Sequence, residues 1–208
     1  MVKISYSGAN DDKVNEILEA AQKRFGLFGY GKTAMYEIAD DLGISKASLY
    51  YYFPDKESLF RAVFEKEQQE FISKLHKTID NSDNAEALLK DFIRLRMTSF
   101  RSFINLGRVS FNELRGIKNI VKDSWKHLIE KEKEEIKRIF EKGIRKGIFS
   151  IQNKDEIAIL FIDILRGLSH LHIRNIDISQ LTEEDFTTLE KKIMQFTAIF
   201  IKGISVHQ

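Results

Sequence analysis

The sequence predicts an all-α protein of about nine helices, on three observations. A single proline, Pro54, stands among 208 residues, and proline is the residue that helix interiors tolerate worst. No stretch alternates apolar and polar residues for more than a few positions, so no strand is expected. Apolar residues recur instead at spacings of three and four. The chain is long enough to bury a proper core, and its 43% hydrophobic and 31% charged content reads as soluble and globular. The absence of cysteine excludes disulfides and thiolate metal sites, and fits a reducing compartment. The N-terminal MVKISYSGAN lacks the apolar core of a secretory signal. No run approaches the ~18 apolar residues that span a bilayer. A cytoplasmic protein without a membrane role is therefore expected.

Each element has its own signals. Val14, Ile17, Leu18, Ala21, Phe25 and Phe28 follow helical spacing, which predicts a first helix over 12–28, capped by Asn10 or Asp11. GYGK (29–32) ends it. Thr33 is a good N-cap for a short helix reaching about Asp40, LGI (42–44) is a tight turn, and Ser45 caps a second short helix through Tyr52. Pro54 breaks that helix and Asp55 caps a long one to about Thr78. After the polar loop 80–84, a phenylalanine-rich helix covers about 85–104, and a less regular stretch passes Gly107 and Gly116. A charged helix follows over about 119–146, with Glu134–Arg138 and Glu141–Arg145 at i,i+4 spacing. Two strongly apolar helices near 155–174 and 182–202 finish the chain.

Residues 35–52 read as one helix-turn-helix. Ile38, Leu42, Ile44 and Leu49 are apolar, Ala39 is small enough for two helices to cross closely, and Gly43 stands where the chain reverses. Three consecutive tyrosines then need explaining, since helical neighbours are about 100° apart and cannot share one buried face. With Leu49 and Phe53 set inward, Ala47 and Tyr51 point outward, Ser48 and Tyr50 flank them, and Tyr52 lies nearer the core. An outward tyrosine offers an apolar face to a thymine methyl and a hydroxyl to a phosphate oxygen. Ser45, Lys46, Ala47 and Ser48 form the end of the helix that enters a major groove first. Thr33 and Lys56 open the neighbouring helices, whose starts suit phosphate. The charge count runs the other way: residues 1–60 hold seven Lys/Arg and nine Asp/Glu, where a DNA-binding module is expected to be basic.

Residues 17–65, ILEAAQKRFGLFGYGKTAMYEIADDLGISKASLYYYFPDKESLFRAVFE, resemble the TetR family of transcriptional regulators. The shared pattern is an A…F…GY segment, then a helix-turn-helix ending in a Ser-Lys…Leu-Tyr…Tyr-Phe…Lys…Leu string. Ala47 departs from it, where many members carry glycine. The resemblance implies an N-terminal three-helix DNA-binding domain (residues 1–55) and a larger C-terminal helical domain (56–208) for effector binding and dimerisation. It implies a homodimer on a palindromic operator, usually a repressor. It also implies DNA contacts by Thr33, Ser45, Lys46, Ala47, Ser48, Tyr50, Tyr51 and Lys56, and a dimer interface built by the last two helices.

Within the C-terminal domain, Met97, Phe100, Phe103, Ile104, Phe111, Trp125 and Leu128 are candidates to line an apolar effector pocket. Sixteen phenylalanines suit a flat or greasy ligand, and Arg94, Arg96, Arg101 and Arg108 are candidates to attract an anionic headgroup. Phe161, Leu165, Leu168, Leu171, Phe196 and Phe200 are the interface candidates, on stripes wide enough to pack on a partner as well as on their own domain. For both sets plain core is the competing reading. His170 and His172 diverge by about 200° on a helix and cannot chelate one metal together. No cofactor or metal is expected. With no nucleophile–base pairing, phosphate loop or metal spacing in view, no enzyme is expected either. The alternative to a ligand-responsive regulator is a DNA-binding adaptor or nucleoid-type protein that answers to a protein partner.

Overall fold

The computed structural model describes residues 8–107, 116–117, 119–174, 176 and 181–206. Their bounded elements are all helices: α1 (Gly8–Phe28), α2 (Met35–Asp41), α3 (Lys46–Tyr52), α4 (Lys56–Asp80), α5 (Ala85–Gly107), α6 (Lys122–Arg145), α7 (Lys154–Arg174) and α8 (Glu183–Ile204). By packing, the chain divides into Met1–Glu67 with Ser102–Val121, and Gln68–Arg101 with Lys122–Gln208. Among the described residues, no helix is long and apolar enough to cross a membrane.

In the N-terminal unit, the apolar stripe of α1 packs as its spacing predicts. Ile17, Leu18, Ala21 and Phe25 are buried with Met35, Ile38 and Ala39 of α2, Leu49 of α3, Phe53, and Leu59, Phe60 and Val63 of α4. Phe25 and Tyr30 meet Phe60 edge-on at 5.2 and 5.0 Å between ring centroids. Each buried phenylalanine contributes about 1.5–3 kcal/mol, so this small cluster is what holds the short helices α2 and α3 against α1 and α4.

Helix starts follow side-chain chemistry. The Ser58 amide donates to Asp55 Oδ1 at 2.6 Å at the head of α4. Asn84 and Asn153 accept from the Ala87 and Glu156 amides ahead of α5 and α7. Thr182 and Asp185 cap α8 reciprocally. At α2 the expectation is corrected. Its N-cap is Ala34, whose amide donates to Glu37 Oε2 at 2.7 Å. Thr33 lies one residue earlier and turns inward, its hydroxyl donating to the Gly29 carbonyl at 2.8 Å.

The second unit is a helical bundle. Its core joins Phe71, Leu75 and Ile79 of α4 to Leu88, Phe92 and Ile93 of α5, Ile136, Ile139 and Phe140 of α6, and the inner faces of α7 and α8. Phe161 runs through the centre of an aromatic series, 4.6 Å from Phe200 and 5.8 Å from Phe196. The α6 charges pair at i,i+3 within the helix and with residues of neighbouring elements, not in the expected i,i+4 pattern. Glu134 pairs with Lys137, Arg138 with Asp80 and Glu135, and Glu141 with Lys154. Lys142 Nζ donates to the Ile79 carbonyl, an acceptor that the end of α4 leaves without a helical partner, and to the Ser82 carbonyl in the loop beyond it. An isolated antiparallel bridge joins Phe149 to Ser205.

Candidate nucleic-acid interface

The geometry of α2 and α3 begins in the turn between them. Gly43 has φ +62°. Its amide donates to the Asp40 carbonyl at 3.0 Å, and the Ile44 amide reaches back to the Ala39 carbonyl at 3.0 Å. This Schellman closure needs a left-handed residue after the helix end, which glycine adopts at least cost. Ser45 then caps α3, its Oγ accepting from the Ser48 amide at 3.1 Å.

On α3, Leu49 is fully buried and Phe53 nearly so. These two anchors fix the rotation of a seven-residue helix and turn its other side outward. Tyr51 is 79% exposed, with Tyr50 partly exposed beside it. Lys46 is exposed and lies 5.6 Å from the centre of the Tyr50 ring. Ser45 and Ala47 are exposed too, and Ser48 is half-buried. Tyr52 is half-buried and meets the Tyr51 ring edge-on at 5.2 Å. The result is a short rod showing hydroxyls, one amine and aromatic faces.

Two residues expected on this face are held inward. Thr33 is 2% exposed and its hydroxyl is bound to Gly29, so its side chain serves the loop between α1 and α2. Lys56 Nζ donates to the Tyr30 and Thr33 carbonyls at 2.9 and 3.0 Å and lies 4.3 Å from the Tyr30 ring centre. It therefore ties the first turn of α4 to that loop. Burial raises the Tyr30 pKa above its ordinary value, helped by Glu57 and Asp55. Tyr36 of α2 is exposed and was not among the expected contacts. The signal lay in its position between Met35 and Ile38, both buried, which turns it about 100° away from Met35.

The acidic excess has a structural answer. The Arg24 guanidinium grips Asp41 through Nε at 2.6 Å and Nη2 at 3.0 Å, and also reaches Glu37 at 3.1 Å. The hydrogen bond from Arg24 holds the Asp41 carboxyl below its usual range, and the same bond raises the guanidinium pKa. Two α2 carboxylates are thus turned back towards α1.

The expected pocket residues separate. Met97 and Leu128 are buried in the core of the larger unit, with Phe100 and Trp125 packed against it. Phe103 and Ile104 are buried in the other unit, where Phe103 meets Phe64 at 5.0 Å. Phe111 and Arg108 lie outside the described residues. Of the remaining expected anion-attracting arginines, Arg94 pairs with Asp91, Arg101 with Glu183, and Arg96 with buried Glu132. A surface cleft of about 480 Å³ is lined instead by Glu86, Lys90, Ala198, Ile201, Lys202 and Ser205. Among the interface candidates, Phe161 and Leu165 are wholly buried in their own bundle, a correction that follows from the width of the α7 stripe: its centre packs inward. Leu168, Phe196 and Phe200 are half-buried, Leu171 is exposed, and Leu160 and Ile199 add exposed apolar surface to the same two helices.

Residues 17–63 match the family model described as bacterial regulatory proteins, tetR family. A crystal structure of a transcriptional regulator from Cytophaga hutchinsonii superposes with a TM-score of 0.87 at 36% identity, over 93% of this chain and 99% of that one. The chain belongs to the TetR family of transcriptional regulators. The family model covers its helix-turn-helix together with part of α1 and the start of α4. The regulator RutR of Escherichia coli is 33% identical over 108 residues, 52% of this TetR-family chain. The chain spans 50% of RutR's own length. A TetR regulator from Haloarcula marismortui shares the fold at a TM-score of 0.71 and 20% identity, over 94% of this chain and all of that one.

Proposed function

We propose that this regulator is a repressor that binds a palindromic operator as a homodimer and leaves it when a small hydrophobic effector enters the larger unit. The observation that carries this reading is Tyr51, an aromatic side chain held 79% exposed by a short helix whose inward residues are firmly anchored. Residues 1–55 read DNA, and residues 56–208 bind the effector and the partner subunit. Ser45, Lys46, Ala47, Ser48, Tyr50 and Tyr51 meet the duplex directly, with α3 in the major groove. Thr33 and Lys56 act by setting the loop that precedes α2, and Tyr36 joins the contact set from α2. The exposed apolar residues of α7 and α8 cover their counterparts on the second subunit, since palindromic half-sites need a two-fold partner. Effector binding favours a dimer whose two α3 helices no longer match grooves about 34 Å apart. The protein acts in the cytoplasm.

Selection of bound sequences from random duplex DNA tests the reading. The expected product is an inverted repeat, and a reporter placed behind it is silenced when the protein is expressed. Failure to enrich any sequence over the starting pool contradicts DNA reading, and a reporter that rises with expression contradicts repression.

A further inference from the structure

The side chains of residues 45–52 limit what α3 can recognise. Lys46, Ala47, Tyr50 and Tyr51 are exposed, Leu49 is buried, and Ser48 and Tyr52 are half-buried. The bases ask different things of a protein in the major groove. Adenine sets a donor beside an acceptor, which an Asn or Gln amide matches, and cytosine offers a donor, which a carboxylate matches. The stretch SKASLYYY contains no Asn, Gln, Asp, Glu or Arg. Ser45 is engaged as the cap of α3, its Oγ accepting from the Ser48 amide, and a serine hydroxyl suits donors and acceptors alike. What α3 has left for discrimination is an ammonium, a methyl group and aromatic rings.

These groups lie in two stripes, because residues four apart share a helix face. Ala47 and Tyr51 make the first, with Tyr51 79% exposed and steadied edge-on by the Tyr52 ring at 5.2 Å. Neither carries a charge. A methyl group and a ring gain by covering apolar surface, and the apolar group that the major groove presents is the thymine methyl. Lys46 and Tyr50 make the second stripe. Lys46 Nζ lies 5.6 Å from the centre of the Tyr50 ring, and no carboxylate pairs with it among the described residues. A ring face attracts an ammonium through its quadrupole, so Nζ keeps its donors for an edge with two acceptors. Guanine, with O6 beside N7, is that edge, whereas adenine sets an amino donor beside its N7.

We propose that this regulator reads its operator through thymine methyl groups, met by Ala47 and the Tyr51 ring, and through a guanine edge, met by Lys46 with Tyr50 positioning it. This rests on the DNA-reading function above and adds the base chemistry that specifies the site. The test is gel shift of the full chain on the selected operator and on three altered duplexes. Deoxyuridine in place of every thymidine removes only the methyl groups, 7-deazaguanine removes the guanine N7, and 7-deazaadenine removes the adenine N7. One methyl is worth about fourfold in affinity, so losing at least one in each half-site is expected to weaken binding by about tenfold or more. The deazaguanine duplex is expected to bind about tenfold more weakly, and the deazaadenine duplex within about twofold of the unaltered one. In Ala47→Gly the penalty for deoxyuridine is expected to shrink by about fourfold or more. In Lys46→Ala the penalty for deazaguanine is expected to vanish. A selected half-site lacking thymine or guanine overturns the proposal, as does a parent chain that binds the deoxyuridine duplex as tightly as the unaltered one or loses more affinity with deazaadenine than with deazaguanine. If selection enriches no sequence, the DNA-reading function falls and takes this proposal with it. If the operator is bound and the altered bases have no effect, the base assignment alone falls.

Discussion

At the scale of single residues, the shape of the α2–α3 unit depends on residues other than the outward ones of α3. Gly43 is one. A methyl group there meets nothing within 4 Å, so Gly43→Ala isolates the cost of the left-handed backbone, about 1–2 kcal/mol. The expected result is a Tm lower by about 2–8 °C, read by thermal melting; an unchanged Tm contradicts it. Asp41 is another. Its pKa is held below the ordinary value by Arg24. The stabilisation from that pair is therefore complete at neutral pH, fades as the pH falls below about 4, and is gone once the pH is below the folded-state value. Urea melts between pH 7 and pH 2 should show Asp41→Asn weaker than the parent at pH 7 and converging with it at the acid end. Constant separation across that range speaks against the pair. The outward turn of Tyr51 was legible, because Leu49 and Phe53 four residues apart fix the rotation of α3. The inward turn of Thr33 was not. A threonine before a helix caps by default, and only the Gly29 carbonyl, four residues back across a loop, draws its hydroxyl inside. The bonds of Lys56 were not legible for a similar reason: its acceptors, the Tyr30 and Thr33 carbonyls, are brought near by tertiary packing.

At the scale of elements, helix identity was legible and helix ends moved by a few residues. The 3.6-residue periodicity marks the buried stripe, whereas an end depends on local bonds. Thus α5 continues to Gly107 past the expected Ile104, and α6 is bounded at Lys122 and not at Asn119. The α6–α7 connection shows what periodicity does not carry. A Cβ at Gly143 would stand 2.1 Å from a Phe149 ring carbon. Phe149 is itself held by the bridge to Ser205 and by edge contact with Phe140 at 6.5 Å. Gly143→Ala therefore forces a packed ring to move and is expected to cost about 1–3 kcal/mol in urea unfolding. A cost below about 0.5 kcal/mol contradicts the close approach. The residues expected to line an effector pocket divide between the two packing units for a comparable reason. Met97, Phe100, Phe103 and Ile104 share one helix in sequence, but α5 runs through both packing units.

At the scale of the whole molecule, a palindromic operator needs two copies of the chain. Ile199 is 70% exposed on α8, and Leu160 and Leu171 are half-exposed on α7. A charge at Ile199 opposes burial of that surface against a second subunit. Ile199→Asp is expected to give a monomer by light scattering and to weaken operator binding at least tenfold; a dimer of undiminished affinity places the interface elsewhere. The central claim, that α3 reads DNA through its outward side chains, is tested most directly by gel shift of the selected operator with Lys46→Ala and Tyr51→Ala. Each is predicted to weaken binding by about ten- to a hundredfold while light scattering still shows the parent oligomer. Unchanged affinity in both variants contradicts the claim.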